Sequence, residues 1–261
     1  MDALEDPMRT FAFNVAYWIL SIGYASAAAF AALAPGRGAT AWIIRRYVKR
    51  MVQAMRIFAG IRIEYRGEDR LPTGAFIIAS KHQSWGDGFA TYDRFQDLAF
   101  VTGDHLEKFP LLGTVLRKLG AIVVNSCGGR EARDSLKHRG LDAHREGRKI
   151  LIYPEGHLAK VGEKYRYRSG VWHMYRDFDM TVVPLATNLG LFWPEEKYEK
   201  HPGTATLEFL DPIPTGLPKD EFLARLEGVI ETRTAELIAE ATGNPVTPAI
   251  RVLAPDEAAQ I

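Results

Sequence analysis

The sequence predicts an α/β fold in which helices flank a mixed, largely parallel sheet, preceded by a membrane-anchoring segment of two helices. From residue 61 onward, short apolar runs alternate with segments of helical length, the pattern of sheets whose parallel strands are joined by helices. Before it, residues 10–34 contain no charged side chain, a length sufficient to cross a hydrocarbon core. We therefore expect a membrane-associated segment over residues 1–60, a domain over 61–243 and a loosely ordered tail over 244–261.

Composition limits the classes of partner. The chain has 261 residues, enough for one large domain or one domain with an appendage. Lysine and arginine number 33 against 32 aspartate and glutamate residues, so the overall charge does not indicate a nucleic-acid partner. The single cysteine, Cys127, cannot form an internal disulfide, which fits a reducing compartment.

The charge-free segment, Thr10 to Ala34, has three interpretations: a transmembrane or re-entrant anchor, a helix lying flat on the membrane, or a cleaved signal peptide. Signal peptides begin with basic residues, whereas Asp2, Glu5 and Asp6 precede a single Arg9 here. The acidic start therefore argues against cleavage.

A second helix is predicted from Gly38 to Gly60, after Pro35 and Gly36 end the first. Its apolar residues recur at helical spacing, and the opposite face is basic, which is typical of a helix on an anionic membrane or of a solvated helix face. Because these positive charges follow the apolar segment, a spanning anchor would place the domain in the cytoplasm. The basic and polar face comprises Arg45, Arg46, Lys49, Arg50, Gln53 and Arg56.

The domain that follows is predicted to contain seven strands and five helices. The predicted strands are Ile61–Tyr65, Ala75–Ser80, Leu98–Thr102, Ala121–Asn125, Ile150–Tyr153, Thr181–Thr187 and Ala205–Leu210. The predicted helices are Gly88–Phe95, Pro110–Leu119, Arg130–Glu146, Gly170–Asp177 and Lys219–Thr242.

The first polar turn of interest, KHQSWGD, follows the apolar run that ends at Ala79 and places His82 at the carboxyl end of a strand, where open α/β sheets bind ligands. In a helix, His82 and Asp87 would lie about 140° apart, so they can meet only across a turn. A carboxylate that fixes one ring nitrogen makes the other a proton acceptor. A purely structural hydrogen-bonded pair is the alternative interpretation.

No protein nucleophile accompanies this pair, because the chain has no G-x-S-x-G motif and Cys127 has no histidine in its local sequence. The pair would therefore deprotonate a substrate hydroxyl, which would attack an activated acyl group directly.

A second strand exit repeats the arrangement, since the sequence YPEGH at residues 153–157 follows the apolar run 150–152. A carboxylate fixed between proline and glycine can accept hydrogen bonds from a polyol or order basic residues around a phosphate. The basic segment at residues 164–168, KYRYR, follows closely and can face the same cleft, where an anionic headgroup would suit it. An ordinary strand exit and a solvated basic face are the alternatives.

Taken in order, these blocks resemble the 1-acylglycerol-3-phosphate acyltransferases. His82 to Asp87 matches that family's H-x4-D block, and YPEGH is similar to its F-P-E-G-T-R block. The likeness covers roughly Ile61 to Ala239 and includes a phrase typical of bacterial members. The other similar stretches are 108–113, 119–124, 182–185 and 188–194.

The resemblance implies the glycerolipid acyltransferase fold and transfer of a fatty acyl group from acyl-CoA or an acyl-carrier-protein thioester to the 2-hydroxyl of lysophosphatidic acid. It makes His82 the general base and Asp87 its orienting partner, with no metal, resident cofactor or acyl-enzyme. The expected location is the cytoplasmic face of the inner membrane, where a lipid acceptor and the membrane surface are the partners. The acceptor-binding residues expected are Glu155, Gly156, His157, Lys81, Arg130, Lys164 and Arg166.

Two departures concern the acceptor. Where the family has Thr-Arg this chain has His157-Leu158, and where the family has Asp-Arg it has Asn125-Ser126. The family uses both arginines around the acceptor phosphate. Either other basic residues supply the charge, or the acceptor is another lysophospholipid or a lyso-aminolipid. A non-catalytic lipid-binding relative is a further alternative, against which the intact histidine and aspartate argue.

Overall fold

Alternating apolar runs from Ile61 onward form the strands of a central sheet in the computed structural model, which describes residues 7–103, 106, 110–124, 130–195 and 198–252, without the side chains at 110, 124 and 130–136. The strands are β1 (Ile61–Arg66), β2 (Ile77–Ser80), β3 (Leu98–Gly103), β4 (Ile122–Val124), β5 (Lys149–Ile152), β6 (Glu163–Lys164), β7 (Val182–Thr187), β8 (Gly203–Phe209) and β9 (Ala249–Ile250). The helices are α1 (Pro7–Ala31), α2 (Gly38–Ala54), α3 (Asp87–Phe95), α4 (Pro110–Lys118), α5 (Arg130–Arg145), α6 (Gly170–Phe178) and α7 (Lys219–Thr242), with short helical turns at Met55–Ala59, Glu68–Arg70 and Leu189–Leu191.

The central sheet has seven strands in the order β1-β8-β7-β2-β5-β3-β4. Strands β2, β3, β4, β5 and β7 are mutually parallel, whereas β8 runs antiparallel to β7 and β1 is parallel to β8. The prediction of a mixed, largely parallel sheet flanked by helices is confirmed. Because β2 and β5 are direct parallel neighbours, their carboxyl ends lie side by side, which brings the two predicted polar turns to one edge.

Strand β2 is buried on both faces of the sheet, because helices cover each face. Its side chains alternate: Ile78 joins a cluster that includes Phe13 of α1, whereas Ile77 joins a cluster that includes Phe222 of α7. All four of these side chains are fully buried, so truncating any of them to alanine would lower the free energy of unfolding by about 2–5 kcal/mol.

Helix α1 packs one face along the domain rather than standing clear of it. Phe13 lies edge-on to Trp193 with ring centroids 5.0 Å apart, the Thr10 hydroxyl accepts the Lys200 backbone N–H at 3.0 Å, and Ala28 is fully buried near the far end. It is a helix long and apolar enough to cross a membrane. Its outer face carries the exposed apolar side chains Met8, Phe11, Val15, Trp18, Ile19 and Ile22.

The join between α2 and the sheet depends on a glycine. The helix continues through Met55–Ala59, and Gly60 then takes a left-handed conformation at φ 71° before β1 begins. A side chain at this position would approach the Pro202 Cβ at 2.9 Å, so both the conformation and the space require glycine.

The region after α7 is more structured than the loosely ordered tail expected from its prolines. Residues Ala249–Ile250 form β9, which pairs in parallel with β6 in a separate two-stranded sheet. The backbone hydrogen bonds of this pairing fix residues that composition alone assigns to a loop. Positions beyond 252 lie outside the described residues.

Candidate active site

The histidine and the aspartate of the first motif meet across a tight turn. His82 Nδ1 lies 3.1 Å from Asp87 Oδ2, and the Asp87 backbone N–H donates to the Ser84 carbonyl at 3.1 Å, which closes the turn. The backbone N–H groups of Gln83 and Ser84 also donate to Asp87 Oδ2, each at 2.8 Å. Three donors therefore converge on one carboxylate oxygen at the first turn of α3, and they fix the orientation of a side chain that is 1% exposed.

The His82 imidazole is held in a single orientation with one nitrogen available. Donation from Nδ1–H to Asp87 leaves Nε2 as the hydrogen-bond acceptor, and the side chain retains 19% of its exposed area. The Tyr153 ring stacks on the imidazole with centroids 3.8 Å apart and planes 13° from parallel. Burial raises the pKa of the Tyr153 hydroxyl well above its usual range, so this ring stays neutral. The arrangement suits proton abstraction at Nε2.

The loop between these two residues is packed too closely for any larger side chain at Gly86. A Cβ there would lie 2.9 Å from both a Leu189 methyl group and the Trp193 ring. Trp85, by contrast, has 57% of its surface exposed and presents a large apolar ring beside the turn. The turn is therefore held in place by its packing against Leu189 and Trp193, and it presents the apolar ring of Trp85 to solvent.

The second predicted turn surrounds the same histidine. It begins at Tyr153, whose ring stacks on His82, and ends where the Ala159 N–H donates to the His82 carbonyl at 2.8 Å. Gly156 adopts φ 72° and is exposed, as the sequence PEG indicates. The two strand exits therefore lie next to each other, as their sequences predict.

The predicted acceptor contacts Lys81 and Glu155 instead form a buried ion pair. Lys81 Nζ lies 3.0 Å from Glu155 Oε2 and 3.0 Å from Glu231 Oε1 on α7, and it also donates to the Glu163 carbonyl. Lys81 is 0% exposed and Glu155 is 1% exposed, so neither side chain faces solvent. The acceptor-binding roles of Lys81 and Glu155 stay predictions, against which this burial argues. Because the strand ladder continues through the Lys81 N–H, successive side chains at 81 and 82 point in opposite directions.

This buried group contains two carboxyl groups and one ammonium group. One ammonium faces two carboxylates, and Glu231 also accepts from the Tyr167 hydroxyl at 2.9 Å. Burial raises the pKa of Glu155 to about 7, although Lys81 opposes that shift. The group connects Lys81, the residue before His82, to the turn after β5 and to α7. It therefore helps to fix the backbone next to His82.

The basic segment 164–168 alternates in direction, as an extended chain does. Tyr165 and Tyr167 are buried, whereas Arg166 and Arg168 are exposed. Lys164 is bound by Glu227 of α7 at 2.7 Å, which neutralises its charge.

The other four predicted acceptor residues stay candidates, and they differ in how the structure places them. Gly156 and His157 line the exposed part of the turn, and Arg166 is solvent-facing. The Arg130 side chain lies outside the described residues, as do Asn125 and Ser126.

Arg168, which packs against the turn after β5, was part of the predicted basic segment 164–168 but was not among the predicted site residues. The Arg168 guanidinium lies 2.8 Å from His157 Nε2 through Nη2, and its backbone N–H donates to the Pro154 carbonyl at 2.8 Å. It lies directly against Gly156. Its place two residues after Arg166 in an extended segment was the only sequence signal for it.

Fold and site together define an α/β acyltransferase with a histidine–aspartate pair at a strand exit. Residues 62–188 match the family model described as Acyltransferase. The resemblance to the 1-acyl-sn-glycerol-3-phosphate acyltransferases is confirmed by the relatives that the chain matches.

A curated relative is a 1-acyl-sn-glycerol-3-phosphate acyltransferase from Pseudomonas aeruginosa, 29% identical over 174 residues that cover 67% of this chain and 68% of the relative. A lyso-ornithine lipid O-acyltransferase from Rhodobacter capsulatus is 30% identical over 99 residues, covering 37% of this chain and 33% of that protein. The crystal structure of the 1-acyl-sn-glycerophosphate acyltransferase from Thermotoga maritima has a TM-score of 0.71 and 17% identity, and the match covers 92% of this chain and 98% of that one. This last similarity concerns the fold.

Within the described residues, no group of three or more His, Cys, Asp or Glu side chains is arranged to hold a metal ion. The expectation that the reaction uses no metal stays a prediction.

Proposed function

We propose that this protein transfers a fatty acyl group from an acyl thioester to the free 2-hydroxyl of lysophosphatidic acid and so produces phosphatidic acid for phospholipid synthesis. The observation that carries the proposal is the His82–Asp87 pair, in which the carboxylate fixes Nδ1 and leaves Nε2 as the proton acceptor of a side chain that is 19% exposed. The names of the relatives support the same reaction class.

The chemistry needs only this pair and the two substrates. Nε2 of His82 takes the proton of the acceptor hydroxyl as its oxygen attacks the thioester carbonyl. The C–O bond forms, the tetrahedral intermediate collapses with cleavage of the C–S bond, and the leaving thiolate receives the proton from His82. Asp87 stabilises the imidazolium that exists between these two proton transfers.

The thioester donor is acyl-CoA or an acylated carrier protein, and no resident cofactor is needed. Since either donor carries the same acyl–sulfur bond, the residues of the turn act on both in the same way. The choice between the donors depends on surfaces away from His82.

Association with one leaflet of the membrane fits α1 better than a full crossing of the bilayer. The helix is engaged with the domain from Thr10 to Ala28, and its outer face is a stripe of exposed apolar side chains. Alongside it, the basic face of α2 and the start of β1 enclose a groove of about 850 Å³ that suits anionic headgroups. We place the domain at the cytoplasmic face of the inner membrane, where acceptor and product both reside. The basic lining of the groove is Arg46, Lys49, Arg50, Arg56 and Arg62.

A second candidate acceptor is a lyso-aminolipid, because one relative is named a lyso-ornithine lipid O-acyltransferase. The position of Leu158, where the family has an arginine, is consistent with a changed headgroup. The acyl-transfer chemistry at His82 is the same for either acceptor.

The decisive test measures thiol release from an acyl thioester by the purified, detergent-solubilised protein. The acceptors are lysophosphatidic acid, lyso-ornithine lipid and other lysophospholipids. His82→Ala should abolish release, whereas His138→Ala, which alters an exposed histidine on α5, should not. Full activity of folded His82→Ala protein would contradict the mechanism. Tight lipid binding without turnover on any acceptor would favour the non-catalytic alternative.

A further inference from the structure

Arg168 lies beside the turn after β5 and, unlike Lys81 and Lys164, has no carboxylate partner in the described part of the chain. Lys81 is neutralised by Glu155 and Glu231, and Lys164 is neutralised by Glu227. Arg168 makes its side-chain hydrogen bond to the Nε2 atom of His157.

The guanidinium is nevertheless held in a defined place. Its residue is anchored by the backbone hydrogen bond to Pro154, and its Nη2 atom by the 2.8 Å contact with His157. A Cβ at position 156 would lie 2.8 Å from Arg168 Nε and 2.9 Å from Cζ, so the guanidinium occupies the space that the glycine leaves open. An ordered cation binds a ligand at a smaller entropic cost than a free side chain.

The electrostatic surroundings of this group are unbalanced. Burial lowers the pKa of Arg168, and no acidic neighbour among the residues that the structure describes acts in the opposite direction. A partly dehydrated cation without a counter-ion costs free energy that a bound anion would recover. The side chain is still partly exposed, so an anion from outside can reach it.

The turn against which Arg168 packs is the one that encloses His82. Tyr153 stacks on the imidazole at its start, and the Ala159 N–H binds the His82 carbonyl at its end. In a lysophosphatidic acid, only a few bonds separate the reacting hydroxyl from the phosphate. An anion site on this turn is therefore placed to hold a headgroup while the hydroxyl meets Nε2.

We propose that Arg168 is the residue that recognises the anionic headgroup of the acyl acceptor, with His157 orienting its guanidinium. The proposal rests on the acyl-transfer function above and names its headgroup site. The planar guanidinium offers two parallel N–H groups to a phosphate or a carboxylate. It places at position 168 the positive charge that Leu158 cannot provide. Phosphate of lysophosphatidic acid and carboxylate of a lyso-aminolipid share this chemistry.

The experiment compares the KM for acceptors that differ in headgroup charge. Lysophosphatidic acid, lyso-ornithine lipid and an uncharged monoacylglycerol are each supplied to the wild type, Arg168→Ala and Arg168→Lys. Arg145→Ala is the control, since Arg145 is an exposed arginine on α5 that pairs with Asp142 within its own helix. Thermal unfolding of each variant checks that it folds.

We expect Arg168→Ala to raise the KM for the anionic acceptor by roughly 10- to 100-fold, the range for one charge-assisted contact. The KM for the thioester and the rate with monoacylglycerol should change little. Arg168→Lys should recover part of the affinity, because lysine keeps the charge but not the paired donors. Whichever anionic acceptor shows the larger increase identifies the headgroup.

Two results would overturn the assignment: an unchanged KM for the anionic acceptor, or an equal loss on the anionic and uncharged acceptors. Equilibrium binding of the same lipids separates this proposal from the reaction itself. Wild-type protein that binds lysophosphatidic acid through Arg168 but consumes no thioester would contradict the reaction and keep the site. Turnover that is unchanged in Arg168→Ala would support the reaction and contradict the headgroup site. Equal binding of charged and uncharged lipids by the wild type would also contradict the headgroup site.

Discussion

The two strand exits that meet at the cleft differ in how their polar residues are used. After β2, His82 and Asp87 contact each other within one turn, and backbone N–H groups of the same turn complete the arrangement. After β5, Glu155 turns inward to partners far away in sequence, and the cation beside the turn is Arg168. A local motif can therefore be read from its spacing, whereas a motif completed by distant elements cannot.

The largest effect should come from changing the local motif. Asp87→Asn keeps the shape of the side chain but lets His82 adopt the other tautomer, and the rate of thiol release should fall by about 10⁴-fold. The midpoint of thermal unfolding checks that the turn remains folded. An activity within tenfold of the wild type would show that Asp87 does not set the tautomer.

The next effect separates a buried lysine–glutamate pair from a more exposed one. Lys81→Met leaves two carboxylates buried without their ammonium and should lower the free energy of unfolding by about 3–5 kcal/mol. Lys164→Met removes a pair whose members are 20% and 29% exposed, and should cost about 1 kcal/mol or less. Urea unfolding of both variants makes the comparison, and equal losses would remove the distinction between the two pairs.

The smallest effect concerns pH. The pKa of Glu155 rises from 4.5 to about 7 in the folded state, so the folded protein holds an extra proton between those values. Its contribution to the free energy of unfolding is therefore largest below about pH 4.5 and declines as the pH rises to about 7.

Glu155→Gln should remove this decline, which urea unfolding at several pH values measures as the difference between variant and wild type. Glu163→Gln, which changes a half-buried carboxylate nearby, is the control. A difference that is flat across the range would show that Glu155 does not titrate there.

Much of the fold could be predicted because its signals are local. The apolar runs around Ile78 and Leu151 identify central strands, and proline and glycine mark the ends of the helices. The strand β9 could not be predicted, since its two residues are fixed only by pairing with β6, more than eighty positions earlier.

The site was predictable to the same extent. The spacing of His82 and Asp87 requires the turn that is observed. The inward direction of Lys81 depends on Glu231, a residue of α7 that lies 150 positions away, and no pattern near either residue indicates it. Arg168 follows from an alternation that becomes visible only once Tyr165 and Tyr167 are known to be buried.

The seating of α1 has a practical consequence for obtaining the domain in water. Phe13 covers Trp193, and Trp193 in turn lies against the Gly86 position of the loop between His82 and Asp87. A chain shortened to begin after α1 would lose the exposed apolar side chains of that helix, but it would also expose the indole of Trp193. Truncation would therefore raise solubility but loosen the loop between His82 and Asp87. Polar substitutions on the outward face of α1 are expected to raise solubility without that effect.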